Sequence, residues 1–358
     1  MSIQVAAHAE SRRLSIVRTT ETRPDRAEPE VRVFARAVRD GLTSRPRTLP
    51  FPYFYDEVGS TLFEAICQLP EYYLTRTEDA ILREHAGAMT SGWPEPPTLI
   101  ELGSGSAEKT ERLIAAALEQ YGRLHYVPID VSGSAVEASA RNLVRAFPAL
   151  RVTGYVGDYH ASLTPIAARF RGPKLFVFLG SSLGNYEPEE AAALLGKVAD
   201  VMRPDDAFLL GTDLAKDAAV LEAAYDDAQG VTARFNLNLL ARINRELGGD
   251  FAPERFRHRA VYRPGPGRVE MHLVSLTDQT VRVAAAGLTA HFTEGESIHT
   301  ENSHKYTPEA LRDLAARAGF VEESAWSDPE GWFRVQRWRT RHPAPQPRPA
   351  PGASEARS

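Results

Sequence analysis

A single cysteine, Cys67, in 358 residues excludes an intrachain disulfide and any zinc site built from cysteines. Long apolar runs are missing too. No stretch of about 18 apolar residues offers a membrane span, and Leu14 to Val17 after Arg12-Arg13 is too short for a secretory core segment. The cytoplasm is therefore the expected compartment. Basic charge is not in excess: 42 Lys and Arg against 47 Asp and Glu leave a formal net charge of −5, which favours neither nucleic acid nor an anionic membrane as partner. A small-molecule ligand and a monomeric chain are expected. Metal ligands are not grouped either, because His299 and His304 bracket Glu301 at spacings that alternate sides of an extended segment. No metal is expected.

What the sequence does have is a nucleotide-site pattern. Leu99-Ile-Glu-Leu-Gly-Ser-Gly-Ser-Ala-Glu-Lys109 is an apolar run that breaks into glycines at Gly103 and Gly105 before a helical segment, and Tyr126-Val-Pro-Ile-Asp130 is a second apolar run ending in an acid. Tyr155-Val-Gly-Asp158 repeats the arrangement. Asp130 stands where the tip of the next strand would hydrogen-bond a ribose. Glu108 occupies the place of the second glycine of a P-loop, and also the third small position of a dinucleotide fingerprint, so an acid stands where phosphates would lie. The remaining pattern, with Glu101 ahead of Gly103 and Gly105, suits a cationic cofactor without phosphates and resembles the S-adenosylmethionine loop of class I methyltransferases. A non-catalytic or dehydrogenase Rossmann-type nucleotide-binding unit is the alternative.

The rest of the chain frames that pattern. Residues 1–28 are polar and unpatterned, and 341–358 are proline-rich, so both are expected to be disordered. Amphipathic periodicity predicts helices over 29–42, 59–69 and 76–89. Strands and helices then alternate: strand 98–103, helix 107–121, strand 124–130, helix 133–147, strands 151–157 and 174–180, helix 187–202 and strand 207–213. This order predicts an α/β fold, a Rossmann-like core with a doubly wound, mainly parallel sheet. Beyond it, 215–227 and 231–247 read as helices, and 255–292 as antiparallel strands turned at Pro264-Gly-Pro-Gly267 and Thr277-Asp-Gln279. A helix over 307–318, opened by Thr307-Pro308, and a strand near 332–338 return the chain to the main sheet. The expected division is a cofactor-binding domain over 77–215 and 305–340, and an α+β substrate-binding domain over 29–76 and 216–304.

Four further segments carry a family resemblance: Tyr53-Phe-Tyr-Asp-Glu-Val-Gly-Ser60, Leu69-Pro-Glu-Tyr-Tyr73 with Thr75-Arg76, Leu179-Gly-Ser-Ser-Leu-Gly-Asn185, and Thr300-Glu-Asn-Ser303 with Lys305-Tyr306. Together, over about residues 30–340, the chain resembles the histidine Nα-methyltransferases of ergothioneine biosynthesis. The resemblance implies conversion of L-histidine to its trimethyl betaine, hercynine, with three S-adenosylmethionine molecules. A methyltransferase for another aromatic amino acid, such as a tryptophan derivative, is the alternative within the class. Glu301 argues against it, since a carboxylate facing an indole edge loses water without enough partners.

The resemblance also implies residue roles. Asn185 and Tyr225 would hold the substrate carboxylate, although an aromatic on an amphipathic helix is also an ordinary core residue. Tyr72 would reach the imidazole, and spacing does not separate it from Tyr73. Glu301 and Ser303, two apart in an extended segment, face one side and would grip both ring nitrogens. Met271 would line the ring pocket or simply fill a core gap. Tyr55 and Phe63 would wall an amine that becomes permanently cationic. For the cofactor, Gly103 and Gly105 allow close approach, Lys109 and Asp130 match contact positions, and Asp158-Tyr159 would face the adenine. Asp158 also reads as a plain strand-end turn. No residue is an obvious base for the amine, so its proton would leave to water or through a tyrosine hydroxyl.

Overall fold

The structure, a computed structural model, describes residues 13–18 and 30–341. Strand β1 (Leu14–Arg18) precedes helix α1 (Glu30–Thr43), strand β2 (Arg47–Thr48), a 3-10 turn (Phe51–Phe54), α2 (Glu57–Cys67) and α3 (Tyr73–Met89). An alternating run follows: β3 (Thr98–Leu102), α4 (Thr110–Tyr121), β4 (Leu124–Asp130), α5 (Gly133–Ala146), β5 (Leu150–Val156), α6 (Tyr159–Arg169), β6 (Lys174–Phe178), a 3-10 turn (Ser182–Asn185), α7 (Pro188–Val201) and β7 (Ala207–Asp213). The chain then forms α8 (Ala218–Tyr225), α9 (Val231–Leu247), a 3-10 turn (Pro253–Arg255), β8 (Phe256–Arg263), β9 (Arg268–Ser275), β10 (Gln279–Val283), β11 (Leu288–Phe292) and β12 (Ser297–His304). It closes with α10 (Pro308–Arg317), β13 (Phe320–Ser327) and β14 (Phe333–Thr340).

The main sheet has the order β1-β5-β4-β3-β6-β7-β14-β13. Neighbours from β1 to β7 run parallel, and the β13–β14 hairpin is added antiparallel against β7. Its central strands are buried along their whole length, as parallel strands covered on both faces must be. Alternation sends Leu99, Leu175, Val177 and Leu209 into the core on one face, and Ile100, Phe176, Phe208 and Leu210 into the core on the other. In a second sheet, β2-β12-β9-β8, strands β8, β9 and β12 pair antiparallel and, with the β10–β11 hairpin, are the antiparallel part expected after residue 213, while β2 joins the edge of β12 in parallel. The doubly wound, mainly parallel architecture is therefore present.

Several boundaries differ from expectation, each for a physical reason. Leu14–Arg18 lies within the stretch read as disordered, yet it pairs in parallel with β5, Leu14 opposite Val152 and Arg18 opposite Val156. Backbone hydrogen bonds at an open sheet edge need no long apolar pattern. Residues 1–12, 19–28 and 342–358, the rest of the two stretches expected to be disordered, lie outside the described residues. Helix α4 starts at Thr110, because Gly103, Gly105 and Ala107 all take left-handed backbone angles that keep the loop out of a helix. The sequence pattern does not predict helix α6, since Pro165 and weak periodicity hide it, but Asp158 caps it by accepting from the His160 N–H at 2.8 Å. Strand β6 ends at Phe178, and the chain then turns through Gly180 and Ser181, both at positive φ, into the 3-10 turn that carries Asn185. Thr307 caps α10 as expected, with Pro308 at its first position.

Candidate active site

The glycine loop lies at the carboxyl end of β3, where open parallel sheets bind ligands. The Gly103 N–H donates to the Ile129 carbonyl at 2.8 Å, and a side chain on Gly103 would meet the rings of Phe178 and Tyr159 at 3.9 Å. Tyr159 is thus at the loop, as its sequence position suggested. Its hydroxyl is 2.5 Å from that of Tyr186, which also bonds the His160 ring at 3.1 Å.

Asp130 ends β4 beside the same loop. One carboxylate oxygen accepts from the Gly105 N–H at 2.9 Å and the other from Ser132 at 2.8 Å. Burial pushes this carboxyl up from its ordinary value, and those backbone donors oppose the push. A carboxylate has about four acceptor positions, so the two occupied ones leave room for the hydroxyls of a ribose. Glu108 is exposed in the loop. A ribose acceptor, an open glycine turn and an exposed acid fit S-adenosylmethionine and do not fit a phosphate-bearing nucleotide.

Glu101 and Lys109 depart from the simple reading of the loop. Its place ahead of the glycines suggests that Glu101 flanks a cationic cofactor, but it is buried beneath the loop, accepting from Thr110 Oγ1 at 2.6 Å and from the Tyr126 hydroxyl. Burial raises its carboxyl to about 7. Its work is to tie the first turn of α4 to β4. Lys109 is paired with Glu78 of α3, which also accepts from the Gly180 N–H at 2.9 Å. Burial alone would lower the lysine, but the Glu78 carboxylate outweighs it and the pKa rises. Gly211 must be glycine here, because a Cβ would stand 2.0 Å from Glu78 Oε1.

A second set of residues forms an aromatic box. Tyr55 meets Phe63 edge to face at 5.6 Å, Phe63 meets Tyr72 at 6.3 Å, and Tyr72 meets Tyr225 at 6.1 Å. Phe235 of α9, not singled out in the sequence, closes the group against Tyr55 at 5.9 Å and Phe63 at 6.1 Å. Burial and then the Glu301 carboxylate hold the Tyr55 phenol protonated, well above its ordinary range, so it does not act as a base by ionising. The two neighbouring tyrosines separate: Tyr72 joins the box, whereas the Tyr73 hydroxyl bonds Asp213 at 2.7 Å and its ring packs on Trp332.

Strand β12 supplies the polar side of this pocket. Glu301 pairs with Met271 and Ser303 with Val269 across to β9, and the ladder irregularity lies before Glu301, so Glu301 and Ser303 share one face with Met271 beside them. Loss of water pushes the Glu301 carboxyl up to about 8, with Lys305 opposing. Met271 is 2% exposed and belongs to the core, directly across from Glu301. Tyr225 Oη lies 2.7 Å from Ser303 Oγ, so it is bonded into the β12 side. Asn185 sits on a turn pressed against β12, since a Cβ on Gly184 would come within 2.9 Å of the His304 carbonyl oxygen. His299 bonds the Glu301 carbonyl and His304 approaches Glu187 at 3.8 Å, two separate settings.

Sequence reading gives no role to the buried charges Glu78, Asp213, Lys216 and Lys305, although Lys305 stands in one of the segments that carry the family resemblance. Two of them had a signal. Lys305 is two residues beyond Ser303, and Asp213 ends the last parallel strand at the ligand-binding end.

An open parallel sheet with a glycine turn fit for a nucleoside without phosphates, facing an aromatic box with a desolvated carboxyl, defines a Rossmann-type S-adenosylmethionine-dependent methyltransferase. Residues 34–340 match the family described as histidine-specific, S-adenosylmethionine-dependent methyltransferases, and the chain belongs to that family. It is 45% identical over 298 residues to the histidine N-alpha-methyltransferase of Mycobacterium tuberculosis, covering 83% of this chain and 92% of that protein. The protein of the same name from Mycolicibacterium smegmatis is 42% identical over 307 residues, 86% of this chain and 95% of that one. Ergothioneine biosynthesis protein 1 of Neurospora crassa is 33% identical over 79% of this chain, which corresponds to 32% of that longer protein. Among the described residues, no helix is long and apolar enough to cross a membrane.

Proposed function

We propose that this enzyme trimethylates the α-nitrogen of L-histidine to hercynine, the first step of ergothioneine biosynthesis. The observation that carries the reading is Glu301, a half-buried carboxyl on one face of β12 beside Ser303 and Met271, whose loss of water raises its pKa. An imidazole has one N–H and a second, basic ring nitrogen that shares a proton with this carboxyl, whereas an indole has its one N–H and no basic nitrogen. In this reading residues 29–76 and 216–304 bind the amino acid, with Asn185 and Tyr225 at its carboxylate and Tyr72, Glu301 and Ser303 at its ring. Gly103, Gly105, Lys109, Asp130, Asp158 and Tyr159 hold the cofactor.

When bound, S-adenosylmethionine supplies an already activated sulfonium methyl, so the protein needs no nucleophile of its own. Its residues orient a neutral amine and exclude water, and orientation alone contributes roughly 7–11 kcal/mol. Tyr55 and Phe63 present ring faces that tolerate the growing cationic nitrogen. With its phenol held protonated, Tyr55 passes a proton only as a hydrogen-bond relay. Mass spectrometry of the protein incubated with S-adenosylmethionine and an equimolar mixture of the twenty amino acids tests the reading. Histidine gaining up to three α-nitrogen methyls is the expected result. Methylation of tryptophan instead overturns the pocket assignment.

A further inference from the structure

Behind the pocket lies a cation that contacts two of the proposed substrate residues at once. Lys305 is fully buried and ion-paired with Asp213 at 2.7 Å. Its ammonium donates to Tyr225 Oη at 2.9 Å and to Ser303 Oγ at 2.8 Å, and those two oxygens are 2.7 Å from each other. Asp213 is held independently by Lys216 at 2.6 Å and by the Tyr73 hydroxyl.

Counting protons gives a constraint. An ammonium only donates, so each hydroxyl gives Lys305 a lone pair and keeps its own proton. The bond between the hydroxyls consumes one of those two protons. We propose that Lys305 is a positioning residue that leaves the Tyr225–Ser303 pair a single proton to donate to the amino acid, and directs that proton to the carboxylate. This rests on the placement of histidine given above. A carboxylate accepts only, so Tyr225 must donate to it, and Ser303 must then donate to Tyr225. Ser303 retains one lone pair, which accepts from a ring N–H. The second ring nitrogen faces Glu301 across a shared proton. With its pKa raised to about 12 by Asp213 against the effect of burial, Lys305 keeps this pattern fixed at every working pH.

The test is steady-state methyl transfer by Lys305→Met, with the affinity for S-adenosylhomocysteine measured by calorimetry, alone and combined with Tyr225→Phe. Expected are a histidine KM raised at least tenfold, kcat within about threefold, unchanged S-adenosylhomocysteine affinity, and a combined loss well short of the product of the single losses. Should Lys305→Met not fold, the double variant Lys305→Met/Asp213→Asn, which removes both charges of the buried pair and still gives the hydroxyls no donor at position 305, should raise KM in the same way. An unchanged KM in the folded Lys305 variant, or fully multiplicative losses, overturns the proposal while Tyr225→Phe and Ser303→Ala still raise KM. If those two variants leave KM unchanged, the substrate placement itself fails, and this proposal with it.

Discussion

Glu301→Gln should make the ligand-free protein more stable at alkaline pH while weakening histidine binding. The Glu301 carboxyl moves from an ordinary 4.5 to about 8 in the folded protein because it has lost water, with Lys305 offsetting part of that loss. A group with a raised folded pKa binds its proton more tightly in the native state. Native stability is therefore undiminished below about pH 4.5 and falls as pH rises towards 8. The difference corresponds to up to about 5 kcal/mol at one pKa unit per 1.36 kcal/mol. Glutamine keeps the shape and carries no charge, so the gap between variant and wild type should open from near zero at pH 4.5 to its full size above pH 8. The same change removes a charge-assisted hydrogen bond to the ring, about 1.5–3 kcal/mol, or a histidine KM raised roughly 10- to 150-fold. Chemical denaturation of both proteins from pH 4.5 to 9, with methyl-transfer kinetics at pH 8, measures both effects. Parallel stability curves, or an unaltered KM, would refute the reasoning.

Other outcomes follow from single distances. Asp130→Asn should weaken S-adenosylhomocysteine binding roughly 10- to 150-fold in calorimetry, since the hydrogen bonds it loses are to a charged acceptor. Gly184→Ala drives a Cβ against the His304 backbone and must displace the turn bearing Asn185, so kcat/KM for histidine should fall at least tenfold while S-adenosylhomocysteine affinity holds. Tyr55→Phe should lower kcat while histidine still binds, and unchanged kinetics would eliminate the phenol as a proton relay.

Glu301 and Ser303 were legible because strand alternation is a local rule, and no distant contact can move residues two apart to opposite faces of a regular strand. The glycine turn and Asp130 were legible for a similar reason: backbone freedom at Gly103 and Gly105 and an acid at a strand tip depend on neighbours in sequence. The order of alternating strands and helices dictated the parallel sheet in the same way.

Other features answer to partners far away in the chain. Tyr72 and Tyr73 are adjacent and chemically identical, and they part only because Asp213 and Lys216 capture one hydroxyl while the box of Phe63 and Tyr225 takes the other ring. Glu101 looked like a cofactor-facing acid until Thr110 and Tyr126 claimed it. Strand β1 exists because β5 has an open edge to pair with. The sequence by itself determined the local frame, which elements form and which side chains share a face. Tertiary structure decided which polar groups lose water and which partner each one finds, because desolvation and pairing depend on three-dimensional neighbours that no local pattern encodes.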